Sequence, residues 1–198
     1  MAESTPSDAA LPTALVLLPT YNERDNLPTI AGLLLAQPNV RVLVIDDGSP
    51  DGTGAIADQL AAASGGRLTV MHRTGKRGLG RSFLDGMRAA LQSDADVVFQ
   101  MDADLSHDPR YVPDLLRAAA THDLVIGSRY TPGGGVVDWG LGRRVVSRGG
   151  SLFARTVLAL RPNDLTGGFK AWRAATLAAV PFDGVHAGGY VFQIEMTF

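Results

Sequence analysis

The sequence predicts an α/β domain with a mostly parallel central sheet and helices on both faces. Three observations carry this prediction. From Thr13 onward, apolar segments of strand length alternate with helix-patterned segments in the order β-α-β-α-β-α-β. The strand candidates are continuous runs rich in Val and Leu, as strands buried on both faces require. Polar and acidic residues collect at the carboxyl end of each run, where open α/β sheets bind ligands.

The first strand is expected over Ala14 to Leu18 and the second over Val40 to Asp46. Between them, Asn26 stands as an N-cap and Pro28 falls in the first turn, where its missing N–H costs nothing, so a helix is expected over 26–36. Thr53 is the expected cap of a second helix, with Ile56 and Leu60 on one face and Ser64-Gly65-Gly66 ending it. Leu68 to His72 reads as the third strand. A third helix from Leu79 to Leu91 carries Phe83, Met87 and Ala90 in one stripe, the pattern of a core-facing surface. Val97 to Met101 is the fourth strand, followed by a helix between Pro113 and Thr121 and a strand over Leu124 to Ile126. Thr131 to Gly150 changes character: Pro132-Gly133-Gly134-Gly135 is flexible and Arg143, Arg144 and Arg148 cluster after it, as in a loop over a site. Ser151 to Leu160 and Ala174 to Val180 read as helical, and Gly168 to Trp172 as extended.

With 198 residues, 45% of them apolar, the chain fits one domain with a sizeable core, over residues 13–198, after a disordered tail over 1–12. The domain is expected to continue past Phe198, because the chain stops just after the patterned apolar segment Tyr190 to Met196. A net charge of -2 and a pI near 6.0 supply no global field for nucleic acid or an anionic membrane. The absence of cysteine excludes a disulfide framework, a thiolate nucleophile and a Cys-type zinc site, and points to the cytoplasm. No apolar run approaches the roughly 20 residues that cross a bilayer, so any membrane contact is expected to be peripheral.

Chemistry is concentrated at the strand ends. These carry Pro19-Thr20-Tyr21-Asn22-Glu23, Asp46-Asp47-Gly48-Ser49, His72-Arg73, and Asp102-Ala103-Asp104. Two carboxylates side by side at the end of a buried strand repel each other and lose solvation, which a cation between them relieves. Such a pair points to a metal-held diphosphate. Gly52-Thr53-Gly54-Ala55-Ile56-Ala57 matches a dinucleotide fingerprint, but its first glycine lies too far beyond Asp46, and Asp47 and Asp51 would repel a pyrophosphate. Gly75-Lys76 lacks the remainder of a P-loop, although Lys76 and Arg77 beside Gly78-Leu79-Gly80 suit a phosphate-facing turn. Asp102-x-Asp104 also fits the nucleophile strand of aspartyl-phosphate phosphatases, but on the fourth strand and without the later acid cluster. His107, next to the acids, is a candidate to assist a metal or a phosphate.

Taken together, these strand-end motifs, with Gly78-Leu79-Gly80, Met101 to His107 and Gly127-Ser128-Arg129-Tyr130, resemble the inverting family 2 glycosyltransferases, and within them the polyprenol-phosphate (dolichol-phosphate) mannose synthases. Arg143-x-x-x-Ser147, Asp164 to Lys170 and Gly189 to Glu195 extend the likeness over nearly the whole chain after Thr13. The resemblance implies a GT-A fold over 13–198, a GDP-mannose donor, Mg2+ or Mn2+, and a polyprenyl monophosphate acceptor met at the cytoplasmic face of a membrane, with no nucleic-acid partner. Carried over by residue, it assigns the donor to Pro19, Tyr21, Glu23, Asp46, Asp47, Asp102, Ala103, Asp104 and Lys170, and the phosphate-facing turn adds Lys76. Asp102 and Asp104 would hold the metal, with Ser106 standing where some relatives carry a Gln ligand and water completing the shell. Arg129, Arg143 and Ser147 would grip the acceptor phosphate, with Asp104, Arg129 and Arg143 central to catalysis. Alternatives are the same fold acting on UDP-glucose or another sugar nucleotide, and a non-catalytic nucleotide-binding module. A sugar-1-phosphate nucleotidylyltransferase would need a Gly-rich basic loop after the first strand, where this chain has Pro19 to Glu23.

Overall fold

The computed structural model describes residues 11–75, 78–130, 149, 162, 164–185 and 189–198. Six strands, β1 (Ala14–Thr20), β2 (Val40–Asp46), β3 (Leu68–His72), β4 (Val97–Gln100), β5 (Leu124–Ile126) and β6 (Lys170–Arg173), form one sheet in the order β3-β2-β1-β4-β6-β5. β1 runs parallel to β2 and β4, and β2 to β3, whereas β6 is antiparallel to both β4 and β5. The sheet is therefore mostly parallel, as its continuous apolar runs require, with one reversed strand near an edge.

Alternation along β1 divides the core in two. Ala14, Val16 and Leu18 face helices α1 (Leu27–Leu35), α2 (Thr53–Ala63) and α4 (Val112–Ala119), through Leu27, Ile30, Leu34, Ala57, Val112 and Leu116. Leu15 and Leu17 face α3 (Leu79–Ala90), α5 (Ala174–Ala178) and α6 (Gly189–Glu195), through Phe83, Met87, Leu177 and Phe192. The predicted stripe of α3 is buried, and Phe83 stacks on Phe192 with ring centroids 6.2 Å apart. Gly80 admits this approach, because a Cβ there would lie 3.0 Å from Phe192 Cγ.

Local details depart from expectation where side chains compete for backbone groups. Gly52, at φ 93°, and not Thr53, occupies the N-cap of α2; Thr53 is its first helical residue, and Asp51 accepts from both Thr53 N (3.0 Å) and Thr53 Oγ1 (2.6 Å). Asn26 does sit at the N-cap of α1, but its side chain makes no cap and Nδ2 donates to Glu23 Oε2 at 2.9 Å. A 3₁₀ turn, Pro109–Tyr111, begins the fourth helical segment earlier than predicted, with Asp108 accepting from Arg110 N. Leu11 packs on the core, and its carbonyl accepts from Asn39 Nδ2. Residues 1–10, the expected helix over 151–160 and, Gly149 apart, the expected loop over 131–150 lie outside the described residues.

Replacing Phe83 by Ala removes a fully buried ring from the second core and its stack with Phe192. The expected cost is about 3–5 kcal/mol in chemical denaturation, and a loss below about 1 kcal/mol would contradict this account of the core.

Candidate functional site

β1 lies between β2 and β4, so the chain order reverses there, and the crevice beyond the strand ends at such a switch point is where α/β sheets take ligands. A cavity of about 280 Å³ opens at that place. Pro19, Thr20, Tyr21 and Glu23 line it from the end of β1, Asp47 from just beyond β2, Leu79 and Ser82 from α3, and Asp102, Ala103 and Asp104 from beyond β4. The predicted donor residues of three separate strands thus meet around one pocket.

On the β2 side the acids are already engaged. Asp46 is buried and accepts from Ser49 Oγ at 2.6 Å and from Ser49 N. Ser49 Oγ in turn accepts from Asn22 N, tying the turn after β1 to the turn after β2. Gly54 packs on this acid, since a Cβ would fall 2.9 Å from Asp46 Oδ2, so the glycine of the fingerprint-like run answers to packing. Asp47 accepts from Arg73 and, at 2.8 Å, from Gly78 N at the entry to α3. Arg73, buried at the end of β3, also donates to Asp85 Oδ2 (2.8 Å) and Ser82 Oγ (3.1 Å). Arg73 is among the strand-end residues of the sequence, with no role in the site assigned to it there; its one signal was its place directly after a strand. Glu23 accepts from Asn26 and donates its own N–H to Thr53 Oγ1, while Tyr21 stands exposed at the mouth.

The acids after β4 are arranged differently. Asp102 Oδ1 is buried and has no hydrogen-bond partner. Burial raises the Asp102 carboxyl above its ordinary range, and the charge of Asp104 adds to this, while His107 and Arg129 pull it down. Asp104 is exposed and accepts from Ser106 N at 3.0 Å across Leu105, whose φ of 63° turns the loop back. Burial lowers the affinity of His107 for a proton. A buried, orphaned carboxylate oxygen next to a second carboxylate suits a hard divalent cation, which accepts one or two carboxylates and takes phosphate oxygens and water for the rest. Among the described residues no three His, Asp or Glu side chains converge on one point, so any such ion would draw its remaining ligands from elsewhere. Ser106 is exposed beside Asp104.

Arg129 forms a two-point pair with the fully buried carboxylate of Asp164, through Nε at 2.7 Å and a second nitrogen, and also donates to Thr166 Oγ1 at 2.7 Å. Lys170 does not reach the pocket. Its side chain is fully buried and Nζ donates to Gln193 O (2.6 Å) and Thr197 Oγ1 (2.8 Å) at the end of α6. Burial lowers its pKa to about 7, against the upward pull of Asp164. Lys76, Arg143 and Ser147 lie outside the described residues.

Residues 15–178 match the family described as Glycosyl transferase family 2. The chain is 48% identical over 185 residues to an undecaprenyl-phosphate mannosyltransferase of Micrococcus luteus, covering 93% of this chain and 76% of the relative. It is 47% identical to a polyprenol monophosphomannose synthase of Mycolicibacterium smegmatis, covering 93% and 70%. Among solved structures, a mycobacterial protein aligns at 25% identity with a TM-score of 0.64, over 92% of this chain and 59% of the other. Glucosyl-3-phosphoglycerate synthase from Mycobacterium tuberculosis, in complex with UDP, aligns at 23% identity with a TM-score of 0.65, over 92% and 63%. The chain thus spans about three fifths of the length of these solved chains.

Lys170 makes stability depend on pH with a definite sign. Between its folded value of about 7 and its ordinary 10.5, the unfolded chain binds a proton that the folded chain gives up, so stability rises as pH rises from 7 toward 10. Urea unfolding at pH 7 and pH 9 is expected to show this rise, and Lys170→Met to flatten it. An equal slope in the variant would assign the dependence to other groups.

Proposed function

The chain belongs to glycosyl transferase family 2 and has the GT-A fold, and on that premise we propose that it transfers mannose from GDP-mannose to a polyprenyl monophosphate, with inversion, using Mg2+ or Mn2+. The observation that carries this reading is the Asp102–Asp104 pair on the switch-point cavity, in a chain 48% identical to an undecaprenyl-phosphate mannosyltransferase. A lipid-phosphate acceptor would bring the protein to a membrane surface; no helix among the described residues is long and apolar enough to cross a membrane.

A phosphate monoester is largely dianionic near neutral pH, its second pKa being about 6, so the acceptor oxygen is already a nucleophile and needs no strong protein base. That oxygen would attack the anomeric carbon as the bond to the diphosphate oxygen breaks, and GDP leaves with the electron pair. Attack opposite the leaving group turns an α-linked donor into a β-mannosyl phosphate. The protein's share of the work is then placement and charge. Tyr21 at the mouth offers a ring face to the base, and the fixed carboxylates of Asp46 and Asp47 offer acceptors to nucleoside N–H and O–H groups. Asp102 and Asp104 would hold the cation, which when bound neutralises charge on the leaving diphosphate. Arg129, oriented by Asp164, is proposed for the acceptor phosphate; Arg143 and Ser147 join it on the strength of the resemblance. Lys170 is left out of the donor site, because its Nζ is spent on α6.

Incubation of the protein with Mn2+, a polyprenyl phosphate and a panel of labelled sugar nucleotides is expected to move mannose, from GDP-mannose, into the organic phase; label arriving only from UDP-glucose would overturn the donor assignment. Asp104→Ala is expected to lower transfer by at least about 100-fold while leaving the thermal midpoint nearly unchanged, because the side chain is exposed. Near-normal turnover in that variant would remove Asp104 from the machinery.

A further inference from the structure

We infer that His107 is a positioning residue for Asp102: its imidazole closes the 102–107 loop by accepting the Asp102 amide at Nδ1, which sets the backbone from which the Asp102 carboxylate projects. The inference rests on the reading of Asp102 as a metal ligand. Asp102 N donates to His107 Nδ1 at 3.0 Å, so this ring nitrogen supplies the lone pair and the proton of the neutral imidazole sits on Nε2. Nε2 lies 3.8 Å from Asp102 Oδ2, beyond hydrogen-bond distance. The ring therefore holds this aspartate through its backbone amide. It is also barred from serving as a ligand through Nδ1, which the Asp102 amide occupies.

The ring is itself held on its flank. It stacks on Phe169 with centroids 5.2 Å apart and planes 12° from parallel. Gly168 lies against its edge, where a Cβ would fall 3.2 Å from His107 Cε1 and 3.3 Å from Asp102 Oδ2. The loop that His107 closes contains Leu105 at φ 63°, a conformation that a branched side chain resists and that persists only where its surroundings impose it. Closure through Nδ1 at one end and the Ser106 N–H on Asp104 within the loop supply that constraint, so both acids are set by one small turn.

The test asks whether the Nδ1 acceptor carries the role. His107→Asn keeps an acceptor near the Nδ1 position and His107→Ala has none. Mn2+ binding in the presence of GDP, read by electron paramagnetic resonance, is expected to weaken by about 10–100-fold in His107→Ala. His107→Asn is expected to recover most of that affinity, and it decides alone if the alanine variant does not fold. Unchanged Mn2+ affinity in His107→Ala, or a loss of about tenfold or more in His107→Asn, would overturn the role while leaving the metal reading intact. Wild-type protein that binds no Mn2+ would overturn both.

Discussion

Parallel pairing of β1 with β2 on one side and with β4 on the other brings four carboxylates, those of Asp46, Asp47, Asp102 and Asp104, to one edge of the sheet. Like charges gathered at buried strand ends repel and lose hydration, so each must find a counterpart or return to water. The structure uses a different solution for each. Asp46 is satisfied by the Ser49 turn, Asp47 by Arg73 and the Gly78 amide, and Asp104 by exposure and the Ser106 amide. Asp102 alone retains a buried oxygen with no partner among these four. Asp46 and Asp47 are thereby fixed in place with lone pairs still to offer, and Asp102 keeps a whole oxygen for a ligand.

The same division runs through the cations. Arg73 spans Asp47, Asp85 and Ser82, joining the end of β2 to the first turns of α3. Arg129 meets a fully buried Asp164, a pair whose two-point geometry offsets the cost of removing both charges from water. Lys170 has no carboxylate within contact among the described residues and is held by a carbonyl and a hydroxyl of the last helical segment, which is why burial dominates its proton affinity. These cations act first on the scaffold, and of the three only Arg73 bonds residues that line the pocket, Asp47 and Ser82.

Much of this architecture was legible in the sequence, for a physical reason. Continuous Val and Leu runs specify strands buried on both faces, and the stripe of Phe83, Met87 and Ala90 specifies a core-facing helix, so these elements emerged within a residue or two of their observed ends. The reversed direction of β6 was not legible, because four residues of strand pattern fit a ladder of either sense. Thr53 was misassigned because a cap preference does not reveal that Asp51 bonds its amide and hydroxyl together. At the site, the Asp102–Asp104 pair was legible from adjacency alone. The ion pairs of Arg73 were not, since Asp47 lies 26 residues before it and Asp85 12 residues after. Lys170 was assigned to the donor by resemblance, whereas its direction is fixed by Gln193 and Thr197, more than 20 residues later.

α6 therefore belongs to the site although none of its residues lines the cavity. Phe192 rests against Gly80, at the start of the helix whose entry amide binds Asp47. Gln193 approaches Gly168, the glycine against which His107 and Asp102 pack, and its carbonyl holds Lys170. The two walls of the pocket are thus buttressed by adjacent residues of one helix turn. The loop holds Leu105 at φ 63°, a conformation that persists only against packed neighbours. Gly168 admits the close approach of His107 and Asp102 on that wall, and Gly80 admits Phe192 on the other, so the two glycines are the positions at which the sequence makes room for these contacts.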